Sequence, residues 1–258
     1  LLGVLGTNGL AGVVPQTLWN ETVPMAMGAK PSGGMTDMAT PVAGQLVRSD
    51  GTNLPNLKIK WTSNSSSATH NNGSGDQVLM NGFLRASSGI PVVLTISNVP
   101  FASYDVYVYV GGATDAHQGV VRLGTDPATD RFFQARSTAP QSEWLEALPG
   151  ADKDRPANYV RYSGLTSPDF TVTLTSLLGQ ALGIHAIQIV DRLLDSDLSG
   201  IPDWWELRYA LEPGSTALAA ADADADGLTN LQEYQRGSDP RNPDTDVDGL
   251  PDGQETTA

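Results

Sequence analysis

Apolar side chains recur with a period of two along much of the first 190 residues. Leu57, Ile59 and Trp61 alternate with Lys58 and Lys60, and Val92, Leu94 and Ile96 with Val93 and Thr95. Val106, Val108 and Val110 alternate with Asp105, Tyr107 and Tyr109, and Phe170, Val172 and Leu174 with Thr171, Thr173 and Thr175. Successive side chains of a strand point to opposite faces, so each run predicts a strand with one face in a core. Gly183–Val190 is apolar on both faces and predicts a central strand. Gly, Asn, Asp and Pro clusters separate these runs, and about ten strands are expected between residues 13 and 191. No long helix is expected before residue 200. The predicted fold is mainly β: an antiparallel β-sandwich, of jelly-roll type.

Charge changes the picture beyond residue 190. The 258 residues carry 15 basic and 29 acidic side chains, a formal net charge of −14. Residues 1–190 hold 13 acidic and 11 basic groups; residues 191–258 hold 16 and 4, a net of −12 in 68 residues. A domain boundary near 191 follows. Such acidity speaks against nucleic acid and anionic membrane surfaces as partners, because both need a basic face. No apolar run approaches the roughly 20 residues of a membrane-spanning helix. Cysteine is absent, which removes disulfides, thiolate metal sites and cysteine catalysis together.

The acidic segment is patterned. Asp195, Asp197, Ser199, Gly200, Asp203 and Glu206 occupy positions 1, 3, 5, 6, 9 and 12 of a twelve-residue window. Asp222, Asp224, Asp226, Gly227, Asn230 and Glu233 repeat that spacing, and Asp244, Asp246, Asp248, Gly249, Asp252 and Glu255 repeat it again. A hard cation such as Ca²⁺ takes 6–8 oxygens at about 2.3–2.6 Å. Oxygens at positions 1, 3 and 5 converge inside a curled chain, and glycine at 6 permits the sharp turn. The carbonyl at 7 (Ile201, Leu228, Leu250) points inward, position 9 contributes directly or through water, and Glu at 12 closes the shell. Three such loops predict about three bound calcium ions as the cofactor. Ser199 offers a neutral ligand where Asp is usual, which makes the first loop the weakest.

The flanks narrow the class. Pro202 opens a short helix, Pro-Asp-Trp-Trp-Glu-Leu-Arg-Tyr-Ala-Leu, at a favourable first-turn position. The second loop runs into Leu-Thr-Asn-Leu-Gln-Glu-Tyr-Gln-Arg and stops at Gly237, an expected C-cap. No amphipathic helix enters any loop, so a full helix–loop–helix EF-hand is excluded. The segments Asp195–Glu206, Asp222–Glu233 and Asn242–Glu255 resemble the bacterial thrombospondin type 3-like calcium repeats, and more distantly the loop–helix repeats of dockerins. That resemblance covers about the last quarter of the chain and implies an extracellular protein with calcium-dependent folding. A dockerin pairs two closely similar repeats with longer helices, a pattern this chain does not follow.

The stretches Phe101–Gly112 and Gly183–Val190 resemble strands of the galactose-binding-like, carbohydrate-binding jelly rolls, which often carry an aromatic and polar binding face. Asp105, Tyr107 and Tyr109 share one face of a strand and are candidate sugar ligands, because rings stack on sugar C–H faces. In a two-layer protein such tyrosines more often cover an edge or pack under a loop, and that is the preferred expectation. Catalytic constellations are poor. His70, His117 and His185 are scattered; Glu143 and Glu146 lie in a polar connection; no nucleophile elbow, phosphate loop or dinucleotide fingerprint occurs. A non-enzymatic protein is expected.

The opening residues 1–12 form an apolar extension. They lack the basic n-region of a signal peptide, and a processed, exported chain is the expectation. The extension is expected to pack as a strand on its own sandwich or on a neighbour's sheet edge. The expected protein is an exported bacterial surface protein with a β-sandwich at 13–191 and a calcium-clamped segment at 192–258. Its expected role is structural or adhesive, as subunit of an extracellular filament or layer, with itself or another surface protein as partner. The rival expectation is a carbohydrate-binding module, with a glycan as partner, of a larger secreted polysaccharide-active protein.

Overall fold

In a computed structural model of the protein, residues 54, 56–63, 65–68, 82–87, 89–112, 116–136, 144–150, 152–179 and 181–255 are described. The expected N-terminal extension, His70 and Glu143 lie outside them. The chain divides into two compact units, Leu1–Val190 and Asp191–Ala258.

In the first unit the described strands are, in chain order, β1 (Lys58–Thr62), β2 (Ser65–Ala68), β3 (Gly82–Ala86), β4 (Val92–Ser97), β5 (Tyr104–Gly112) and β6 (Gln118–Leu123). They continue with β7 (Arg131–Ala135), β8 (Pro156–Ala157), β9 (Tyr159–Leu165), β10 (Phe170–Ser176) and β11 (Leu182–Asp191). One sheet has the order β1-β4-β10-β6-β7-β8 and the other β2-β3-β11-β5-β9. Within them, β4-β10-β6-β7 and β3-β11-β5-β9 interleave as the two Greek keys of a jelly roll. The pairings given residue by residue are antiparallel except between β7 and the two-residue β8, which run parallel.

The period-two residues build the core. Val92, Leu94 and Ile96 of β4, Val106, Val108 and Val110 of β5 and Val172 and Leu174 of β10 are buried together with Leu182 and Ile184 of β11. At the sheet edge, β1 keeps Lys58 and Lys60 exposed; charges on an edge strand discourage further pairing. Between β3 and β5, β11 is the central strand that its two-faced apolar run predicts. Gly183 is required there, since a Cβ would lie 2.1 Å from the Phe83 ring and 2.4 Å from the Leu84 carbonyl.

The second unit has helices α1 (Asp203–Arg208) and α2 (Asn230–Arg236). Pro202 stands at the N-cap of α1, one place before the first turn. The run expected to reach Leu211 stops early, for Ala210 takes φ +52°. The Arg241 guanidinium donates there to the carbonyls of Tyr209 and Ala210, at 3.2 and 3.0 Å. Helix α2 begins with a reciprocal Thr229–Gln232 capping box and ends at Gly237 in the left-handed region, φ +85°. A small core forms from Ile201, Trp205, Leu211 and Ala219, with Leu231 and Tyr234 packed on it.

Candidate metal centre

The three acidic windows fold alike. Position 6 is a left-handed glycine in each: Gly200 (φ +87°), Gly227 (+103°) and Gly249 (+96°). Position 4 is left-handed as well, although Leu198 (+59°), Ala225 (+66°) and Val247 (+61°) have side chains. A β-branched valine rarely adopts that conformation, so the loop imposes it. The amide at 6 donates to the carboxylate at 1 every time: Gly200 to Asp195 at 2.9 Å, Gly227 to Asp222 at 3.1 Å and Gly249 to Asp244 at 3.0 Å. The amide at 7 donates to the side chain at 5, through Ile201 to Ser199, Leu228 to Asp226 and Leu250 to Asp248. Inward-turned amides thus hold both oxygens of Asp195, Asp222 and Asp244 and leave a lone pair on each for a cation.

Position 9 does different work. Asp203 accepts from the Ser196 amide at 2.7 Å and Asp252 from the Thr245 amide at 2.9 Å, so each closes its loop on the residue at position 2. In the second loop Asn230 donates to the Leu218 carbonyl at 2.8 Å. Its own carbonyl oxygen is buried without a hydrogen-bond partner.

Position 12 decides the chemistry. Glu206 on α1 and Glu233 on α2 are each 0% exposed, and neither oxygen of either carboxylate has a hydrogen-bond partner. Burial, followed by the charges of Asp197, Asp203 and Asp195, pushes Glu206 up to about 7. Burial, then Asp224, Asp226, Asp222 and Asp252, pushes Glu233 up to about 8. Burying one bare carboxylate costs several kcal/mol, and here aspartates crowd around it. A divalent cation coordinated by these oxygens is the chemistry that fits the donor set. The carboxylate oxygens of Asp222, Asp224 and Asp226 gather within 4.8 Å of one another, as do those of Asp244, Asp246 and Asp248. A third group joins Asp226 and Glu233 to Asp252 of the next loop. Asp252 is thereby placed beside the second loop, although its spacing assigns it to the third. With Ser199 at position 5, the first loop forms no comparable triad among the described residues.

The third loop ends differently. Glu255 follows a 3-10 turn, Asp252–Gln254, and is only partly buried; desolvation and the charges of Asp246, Asp248, Asp252 and Asp244 raise its pKa. Leu250, at position 7, is 41% exposed, whereas Ile201 and Leu228 are buried.

The sugar platform is corrected by the structure. Asp105, Tyr107 and Tyr109 do share a face of β5, but at 1%, 0% and 0% exposure they present nothing to a ligand. Arg161 donates twice to Asp105 Oδ2, at 3.1 and 2.8 Å, and the Gly164 amide donates to Oδ1 at 2.9 Å. The Tyr109 hydroxyl donates to Gln188 at 2.7 Å, and the Trp144 ring packs edge-on against it at 4.9 Å. Alternation within the strand cannot reveal this cover, because the residues from 144 onward belong to a distant stretch of chain. Among the candidate polar residues, His117 faces the Ala181 carbonyl at 2.9 Å and His185 lies buried against the Phe83 ring. Glu146 accepts from the Tyr159 hydroxyl at 3.0 Å.

No protein-family model matches the chain, and no curated protein matches it. One solved structure, described as "CBM4 structure and function", aligns at 17% identity with a TM-score of 0.15, covering 50% of this chain and 83% of its own. A TM-score that low has no bearing on this chain's ligand. The sandwich stands on its own strand pairing. No helix among the described residues is long and apolar enough to cross a membrane.

Proposed function

We propose that residues 191–258 are a calcium-stabilised module and that the whole chain is an exported protein with a structural or adhesive role. The observation that carries the calcium reading is the pair of fully buried, unpartnered carboxylates, Glu206 and Glu233, each twelve residues along a loop whose amides already preorganise the aspartates. Asp195, Asp197, Ser199 and Glu206 would hold one ion, together with the Ile201 carbonyl. Asp222, Asp224, Asp226 and Glu233 would hold the second with the Leu228 carbonyl, and Asp244, Asp246, Asp248 and Glu255 the third with that of Leu250. Bound calcium supplies the positive charge these side chains lack and links the loop to its helix.

The small core of the second unit makes that link consequential. The five buried apolar side chains among the described residues and their neighbours do not offset the conformational entropy of a 68-residue segment, whereas ions that bind only the folded form do so by linkage. Extracellular calcium modules have Kd values of about 10⁻⁴–10⁻³ M, which matches an outside environment. The structural role is favoured over a sugar-binding one because β5 turns its tyrosines under a cover. Native mass spectrometry with and without calcium, combined with limited proteolysis, tests the reading. Three ions and calcium-dependent protection of residues 191–258 are expected; equal protection in excess EDTA would refute it.

A further inference from the structure

Asp252 sits at the ninth position of the third loop, yet its side chain is gathered with the second. Asp226, Glu233 and Asp252 each bring a carboxylate oxygen within 4.8 Å of the others. Asp226 belongs at the same time to the group with Asp222 and Asp224, so one residue ties both sets together. Backbone packing fixes the approach. The Gly253 amide donates to Asp226 Oδ2 at 3.0 Å, and a Cβ on Gly253 would lie 2.3 Å from the Asp226 carbonyl oxygen. From α2, Arg236 donates to the Asp252 carbonyl at 3.3 Å. That contact leaves the Asp252 carboxylate to other partners.

Thr245 aims the carboxylate. Its amide donates to Oδ1 at 2.9 Å and its hydroxyl to Oδ2 at 2.6 Å, which leaves a lone pair on each oxygen. Asp252 is 4% exposed, and beside it Glu233 is 0% exposed with both oxygens unpartnered. Three carboxylates converging here, two of them buried, are ionised together only with a cation among them. The EF-like spacing would send Asp252 to the ion of its own loop; the geometry sends it to the neighbouring one.

We propose that Asp252 is a ligand of the calcium ion held by the second loop, so that this site is complete only when the third loop is folded against it. The inference rests on the calcium reading above and adds an order to it. Calcium in the Asp244–Asp246–Asp248 loop shapes the turn in which Thr245 orients Asp252. Filling the third loop therefore raises the affinity of the second, and by reciprocity the second raises that of the third.

The full chain, titrated with calcium and followed by two-dimensional amide NMR, resolves the sites. The Gly227 amide, bonded to Asp222, reports the second loop, and the Gly249 amide, bonded to Asp244, reports the third. Asp252→Asn retains an oxygen for the Thr245 amide while removing the charge. The expected result is a Gly227 midpoint moved to roughly tenfold higher calcium or more, as a lost charged ligand lowers affinity, with Gly249 moved less than about threefold. A Gly249 shift equal to or larger than that of Gly227, or no shift in either, overturns the proposal. Asp246→Asn, which removes a third-loop ligand and leaves Asp252 in place, decides the case if Asp252→Asn does not fold. A Gly227 midpoint raised about threefold or more by this variant supports the coupling, and an unchanged one overturns it. Absence of any calcium response at Gly227 and Gly249 in the unaltered chain would remove the calcium reading itself. Ordinary binding with the wrong shift pattern removes only the assignment of Asp252.

Discussion

At the scale of single residues, the buried glutamates set two opposed requirements. Without calcium, Glu233 is most stable protonated, and with calcium it must be ionised. Glu233→Gln is therefore expected to lower calcium affinity at the second loop by about ten- to a hundredfold while raising the melting temperature of the calcium-free form near neutral pH, since the amide is buried neutral without taking up a proton. Thermal unfolding with and without EDTA checks both signs. A pH dependence follows from the same groups. Glu206 and Glu233 rise from the ordinary 4.5 to about 7 and about 8, so folding the calcium-free unit takes up protons. Their contribution is most favourable below about pH 4.5 and is lost as pH climbs through 7 and 8. Calcium binding near pH 6 should accordingly release protons, and near pH 9 it should release few. Calorimetry in buffers of different ionisation heat reads the difference. The shared loop conformation was legible in the sequence, because alternate carboxylates followed by glycine encode one backbone path. The placement of Asp252 beside Asp226 and Glu233 was not, because spacing along one loop carries no information about its neighbour.

At the scale of elements, local chemistry foretold more than tertiary cover. The period-two runs became β1, β4, β5 and β10, the run apolar on both faces became β11, and Gly237 became the C-cap of α2, since side-chain pattern and left-handed glycine act within a few residues. What alternation could not supply was the identity of the cover over β5. Its outer residues, Asp105, Tyr107 and Tyr109, were open to a ligand or to packing, and Arg161, Gln188 and Trp144 cover them from elsewhere in the chain. The helix after the first loop also ended sooner than its sequence indicated, because the chain turns back at left-handed Ala210, where the Leu211 amide donates to the Glu206 carbonyl at 2.8 Å. Two element-scale outcomes are expected. Thr229→Ala removes half of the capping box and should cost about 1 kcal/mol in the second unit, seen as a lower denaturation midpoint of that unit alone. Gly183→Ala, whose methyl would enter the Phe83 ring and the Leu84 carbonyl, should destabilise the sandwich by about 1–3 kcal/mol or more, with the calcium midpoints unchanged.

At the scale of the whole molecule, the charge of −14 divides between two units held by different forces. The first has a jelly-roll core; the second has, among the described residues, five buried apolar side chains and crowded carboxylates. Differential scanning calorimetry is expected to show two transitions, of which only one moves with calcium. At about 10 mM calcium, roughly ten to a hundred times the Kd usual for extracellular modules, linkage contributes about 1.4–2.7 kcal/mol per site to that transition. A single transition indifferent to calcium would contradict this division. The packing of Gly253 on the Asp226 backbone carries a further consequence. Because Asp226 and Asp252 meet in one cluster, the distance in sequence between the second and third windows cannot drift. An insertion there would unseat both, and the second window grafted alone into a foreign host would arrive without part of its ligand set. If Asp252 completes the second site, the smallest portable piece of this segment is the second window together with the third.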